Sequence, residues 1–135
     1  MKTIIKYNHG NHFSGETASG HLMHWDSGPK DSVTNGPTPM EGMLQAGAVC
    51  SAMDVVSILK KRRKEITRFD LEIEAERAED HPKIFTTYRI IYRVGGNSIT
   101  REEVEKAVKL SQDKYCSIIN MLIPEVAVDY EIEIV

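Results

Sequence analysis

The chain has 135 residues, 41% hydrophobic and 27% charged, with a net charge of −3 and a pI near 5.9. That length supports one hydrophobic core, so a single domain over residues 1–135 is expected. The acidic balance argues against nucleic acid as the main partner, which would call for a basic face. The opening Met1–Lys6 has no long apolar run, so no secretory signal is expected. Two cysteines in such a chain point to a reducing cytoplasm, where a thiol pair is redox-active or simply buried rather than a structural disulfide.

Residues 1–35 read as short strands and a loop. Thr3–Tyr7 is β-branched and aromatic, and Asn8-His9-Gly10-Asn11 is a turn signal. His12–Glu16 and His21–Asp26 read as two further strands. None is strongly amphipathic, so this segment is expected to complete its core against something else, such as a partner subunit. Ser27–Pro39 is a Gly-, Pro-, Ser- and Asn-rich loop.

The central helix falls within residues 36–64. Thr38 as N-cap, Pro39 in the first turn and Glu41 three residues after Thr38 form a capping box. Met43–Leu59 is apolar nearly all round, interrupted by Gln45, Ser51, Asp54 and Ser57. A helix of that character is expected to be buried on most sides. Its length, about 17 residues, touches the lower edge of a membrane span. Asp54 within it is costly in lipid, so a core helix and no membrane are expected. Asp54 reads as a hydrogen-bonded core carboxylate or an interface residue. Lys60–Lys64 reads as cations at a helix C-terminus, where the helix dipole favours them.

A hairpin is expected over residues 67–94. Phe69–Glu76 alternates apolar and acidic residues, Glu79–Pro82 makes the turn, and Ile84–Arg93 returns. Lys83, Arg89 and Arg93 are expected to meet the acidic face across the ladder. A second helix is expected over residues 99–123, capped by Thr100 with Glu103 and possibly bent, and ended by Pro124. Residues 126–135 alternate again as a half-buried strand. The fold class is therefore α+β, in the order βββ-α-ββ-α-β, with sheets wrapping a buried central helix.

The titratable residues offer few metal sites. There is no CxxC, and His9 with His12, like His21 with His24, has an odd spacing that puts the two on opposite faces of a strand. No metal site is expected. Cys50 and Cys116 each fall in a predicted helix. As a pair they suit peroxide reduction, in which one thiolate becomes a sulfenic acid and a neighbouring thiol condenses with it. By residue type alone, two inert core cysteines are the favoured reading.

Three blocks carry a resemblance: Gly36–Lys61, His81–Thr86 and Ala107–Ile118. Together they resemble the OsmC/Ohr family, that is, osmotically induced protein C and organic hydroperoxide resistance protein, with similarity over residues 36–135. The variant with Met-Asp-Val-Val-Ser-Ile-Leu after the first cysteine resembles the OsmC-like branch. The resemblance implies an intertwined homodimer with sites at its interface. It also implies thiol-dependent reduction of hydroperoxides, organic ones above all and hydrogen peroxide beside them, in oxidative-stress defence, with no metal or other cofactor. Cys50 would attack, Cys116 would resolve, and Glu41 would be the site carboxylate. A dithiol, such as one of lipoyl type, would regenerate the pair. In the peroxidase branches the glutamate directly follows the proline, whereas here Met40 intervenes. One residue is a rotation of about 100° on a helix. Those branches also carry an N-terminal arginine, whereas here no arginine precedes Arg62 and Lys30 or a partner residue would supply the charge. The alternative expectation is a dimeric small-molecule-binding or thiol-sensing protein with little peroxidase activity.

Overall fold

In the computed structural model, which describes residues 1–135, the strands are β1 (Ile4–His9), β2 (His12–Glu16), β3 (Leu22–Trp25), β4 (Glu65–Arg77), β5 (Phe85–Asn97) and β6 (Ala127–Ile134). The helices are α1 (Pro39–Lys61), α2 (Arg101–Leu110) and α3 (Ser117–Leu122), with a π-helical turn at Ser111–Tyr115. The fold is thus α+β, with two three-stranded sheets ordered β1-β2-β3 and β4-β5-β6. Contacts divide the chain into two units, Met1–Met43 and Leu44–Val135.

The N-terminal unit is an antiparallel meander followed by the first turn of α1. Both faces of the meander leave large apolar side chains in solvent, among them Ile4, Tyr7 and Leu22. Trp25 packs against the start of α1. A Cβ on Gly42 would lie 2.3 Å from the indole, so only glycine admits the ring there. The capping box is complete: Glu41 N–H donates to Thr38 Oγ1 (3.3 Å), and Thr38 N–H donates back to Glu41 Oε2 (2.7 Å).

In the second unit, β4 and β5 form the antiparallel hairpin, and β6 adds in parallel to β5. β5 is the middle strand, and its Tyr88, Ile90, Tyr92 and Val94 form one fully buried face. Opposite signs do meet across the ladder, with two changes from expectation. Arg93 bridges Glu72 on β4 (2.8 Å) and Glu133 on β6 (2.6 Å), whereas Arg89 pairs with Glu131 on β6 rather than with β4. Lys83 lies in the turn with φ 51°, and its carbonyl accepts from Arg77. The parallel register sets Arg89 beside Asp129 and Arg93 beside Glu133, so the last strand supplies acids from its own outer face.

Two helical expectations change. The predicted second helix is broken. α2 begins at the expected Thr100–Glu103 capping box, but the π turn follows it, and Cys116 is extended (φ −71°, ψ 102°) before α3 restarts. And α1 is not covered on most sides within one chain. Gly47, Ala48, Ser51, Val55 and Leu59 are buried, while Val49 is 45% and Met53 69% exposed. By length and apolar composition α1 is also able to cross a membrane. The basic end of α1 serves structure: Lys64 Nζ contacts Glu103 Oε1 (2.9 Å) and donates to the Ser98 carbonyl (2.6 Å).

Candidate functional site

The buried face of α1 is built from small residues. Gly47 and Ala48 sit on one turn, Ser51 on the next, and Val55 and Leu59 beyond them. Small side chains allow other elements to approach the helix backbone closely. Tyr88 does so from β5: its hydroxyl donates to the Leu44 carbonyl. A Cβ on Gly47 would lie 2.7 Å from that hydroxyl. Burial of the phenol raises the Tyr88 pKa to about 12.

Cys116 approaches the same turn from the other side. Its thiol is fully buried, points to the Gly47 carbonyl at 3.9 Å, and accepts from Ile119 N–H at 3.5 Å. The Cys50 thiol, on a half-buried position of α1, neighbours Cys116, whose own sulfur meets the carbonyl of Gly47 one turn before Cys50. Burial above all, then the neighbouring Cys50, pushes the Cys116 thiol up to about 12. Cys116 is therefore a protonated donor at neutral pH. Two residues from different predicted helices are thus brought together, which neither helix alone foretold.

Next to the thiols runs a buried polar chain. Ser51 Oγ shares hydrogen bonds with Tyr92 Oη (2.7 Å) and Ser111 Oγ (3.0 Å), and Ser111 Oγ donates to Asp54 Oδ2 (2.9 Å). Burial raises the Tyr92 pKa, against the bond from Ser51. Asp54 is thus hydrogen-bonded, one of the two readings its position on α1 allowed. Ser51, Ser111, Tyr88, Tyr92 and Gly47 carry no motif that marks them. The available signals were a serine on an apolar helix stripe and a glycine in mid-helix.

Glu41 lies in the N-terminal unit, with its carboxylate in the capping box. The Thr38 N–H and hydroxyl bonds hold its pKa below the usual value. Lys30 is solvent-exposed in the preceding loop. Within the meander, His12 Nε2 and His24 Nδ1 meet across β2 and β3 at 2.9 Å, a cross-strand pair that spacing along a single strand does not reveal. No group of three or more His, Cys, Asp or Glu side chains is arranged to hold a metal ion.

Comparison with known proteins adds to this geometry. The family described as OsmC-like protein matches residues 29–131. Protein YhfA of Escherichia coli K12 is 39% identical over 135 residues, covering 100% of this chain and 98% of that protein. A hypothetical protein from Aquifex aeolicus superposes with a TM-score of 0.87 at 30% identity, covering 99% of this chain and 95% of the other. The organic hydroperoxide resistance protein OhrB of Bacillus subtilis shares the fold, with a TM-score of 0.67 at 16% identity and 98% of each chain covered. A family match over most of the length, a full-length relative and a common fold agree with the motif blocks around both cysteines: the chain belongs to the OsmC-like protein family.

Proposed function

We propose that the protein is a cytoplasmic thiol-dependent peroxidase that reduces organic hydroperoxides. The observation that carries this reading is the neighbouring pair of free thiols, Cys50 half-buried on α1 and Cys116 fully buried against the Gly47 carbonyl of the same helix. The half-buried thiol meets the substrate. Its sulfur, as thiolate, attacks the terminal peroxide oxygen. The O–O bond breaks, an alkoxide leaves and takes a proton, and Cys50 becomes a sulfenic acid. Cys116 sulfur then attacks the Cys50 sulfur. Its proton and the sulfenic hydroxyl leave as water, and a disulfide forms. A dithiol of lipoyl type reduces the disulfide by two exchange steps and is itself oxidised. The name of the Bacillus relative, organic hydroperoxide resistance protein, supports this substrate class.

The functional unit we infer is a homodimer. Val49 and Met53 on α1, and Ile4, Tyr7 and Leu22 on the meander, are large apolar side chains in solvent. Covering them with a second copy removes that exposure at the hydrophobic effect's usual gain of about 25 cal/mol per Å².

The test is stopped-flow consumption of cumene hydroperoxide and hydrogen peroxide by wild type, Cys50→Ser and Cys116→Ser. We expect fast consumption by wild type, none above background for Cys50→Ser, and a single turnover for Cys116→Ser. Equal slow rates for wild type and Cys50→Ser would overturn the reading. A second reading is a thiol-sensing or small-molecule-binding dimer with little peroxidase activity. It is favoured by the engagement of the Glu41 carboxylate with Thr38, and it predicts that Cys50 reacts with iodoacetamide no faster than a free thiol.

A further inference from the structure

The π-helical turn between α2 and α3 is the irregular element of the second unit. A π turn holds one more residue than an α turn, has poorer hydrogen-bond geometry, and persists only where the surroundings hold it. Here three groups of bonds hold it. Its closing bond runs from the Cys116 N–H to the Ser111 carbonyl at 2.7 Å. The Asn120 side chain donates to the Gln112 carbonyl (2.9 Å) and the Cys116 carbonyl (2.8 Å). And the Ser111 hydroxyl is anchored in the core to Ser51 and Asp54 of α1.

The anchor has a particular geometry. Ser51 is the residue next to Cys50, and Asp54 is one helical turn on. Ser111, which they grip, is also the residue whose carbonyl receives Cys116. A closed circuit therefore runs from Cys50 to Ser51, across two buried hydroxyls to Ser111, and through one backbone bond to Cys116. Every bond in that circuit lies in the core, where few alternative partners exist. An unbroken α-helix through residues 111–116 would rotate Cys116 by about 100° per residue of register, so the extra residue of the turn decides which way the thiol faces.

We propose that Ser111, held by Ser51 and Asp54, is a positioning residue for the thiol pair. It fixes the π turn in the register that sets the Cys116 sulfur against Cys50. This deepens the peroxidase reading and, for its catalytic consequence, rests on it. The positioning itself does not depend on the identity of the oxidant.

The test therefore uses two oxidants. In the first arm, wild type, Ser111→Ala, Ser111→Thr and Val104→Ala are equilibrated with oxidised and reduced glutathione. Two protein thiols and one glutathione disulfide give the Cys50–Cys116 disulfide and two glutathione thiols, so the equilibrium reports the effective concentration of one sulfur at the other. We expect Ser111→Ala to lower it at least tenfold and Ser111→Thr, which keeps a hydroxyl, to restore most of it. Val104→Ala, a cavity in the buried face of α2, is expected to lower the melting temperature without moving it. An unchanged effective concentration in Ser111→Ala overturns the proposal, as does an equal fall in Val104→Ala. Should Ser111→Ala not fold, Ser51→Ala and Asp54→Ala, which each remove one anchor, carry the same expectation of a measurable fall. In the second arm, one equivalent of cumene hydroperoxide is added with dimedone present. We expect Ser111→Ala to consume peroxide within about twofold of wild type while trapping more sulfenate and closing less disulfide. Absence of any sulfenate in wild type would sink the peroxidase reading alone, and the glutathione arm would still decide the positioning.

Discussion

Gly47→Ala adds one methyl group at the most crowded point of the site. The new Cβ would lie 2.7 Å from Tyr88 Oη and 3.1 Å from its Cζ. Normal carbon–oxygen contact is well beyond that, so the phenol must slide outward. Tyr88 is fully buried and stacks edge-on against Phe85, with ring centroids 6.0 Å apart, so little room exists for the slide. Three contributions set the magnitude. Replacing a mid-helix glycine by alanine gains about 1 kcal/mol. Overpacking a filled core costs about 1–3 kcal/mol. Pulling the hydroxyl off the Leu44 carbonyl loses about 1 kcal/mol net. The sum is a destabilisation of about 1–3 kcal/mol, or roughly 4 °C in Tm per kcal/mol for a domain of this size. Urea unfolding at one fixed protein concentration is the assay, since association would otherwise enter the result. Spectroscopic tyrosine titration is the second readout. Freed from its niche, Tyr88 should titrate below the wild-type value of about 12. A variant as stable as wild type, with its tyrosine titration unmoved, would refute the claim that glycine is required for the approach of Tyr88.

Tyr92→Phe should cost about 1 kcal/mol, because Ser51 loses one partner but keeps Ser111; a chemical melt measures it. Alkaline pH should weaken the fold. The folded chain holds the Cys116 proton to about 12 against an ordinary 9.0, and the Tyr88 proton to about 12 against 10.0. Both folded values are raised, so the stabilisation is full below pH 9 and declines as pH rises toward 12. Unfolding should release close to two protons near pH 11, and Cys116→Ser should remove about one of them. Potentiometric or melt-versus-pH measurements give that number directly. Met53→Glu should shift the chain toward monomer, read by light scattering after gel filtration, because it puts a carboxylate on the exposed stripe of α1.

The parts of the fold that were legible in the sequence are those fixed by neighbours along the chain. Thr38 with Glu41, and Thr100 with Glu103, mark both capped helix starts, because a capping box is completed within four residues. The alternation in Phe69–Glu76 gave β4 for the same reason: a pleat has a period of two. What was not legible depends on partners far off in sequence. The π turn exists because Ser111 reaches Ser51 and Asp54, a contact no local propensity encodes. Hydrophobicity said that α1 would be covered but not by what, and its own chain covers only the side that carries Gly47, Ser51 and Val55. The cysteines were legible as candidates. That they approach each other follows from a tertiary crossing, in which the Cys116 thiol meets the Gly47 carbonyl on the buried side of α1.

The parallel pairing of β6 with β5 bears on how the chain comes off the ribosome. A parallel neighbour requires a crossover, so β6 is the last element made and can dock only after α2, the π turn and α3 have all emerged. α1 is synthesised early, yet its hydroxyl partner Tyr92 comes 41 residues after Ser51 and Ser111 comes 60 residues after it. For most of translation, then, the nascent chain carries an apolar helix with its cover still unmade and a cysteine with no second thiol beside it. Vectorial synthesis delays the thiol pair until nearly the whole chain is present.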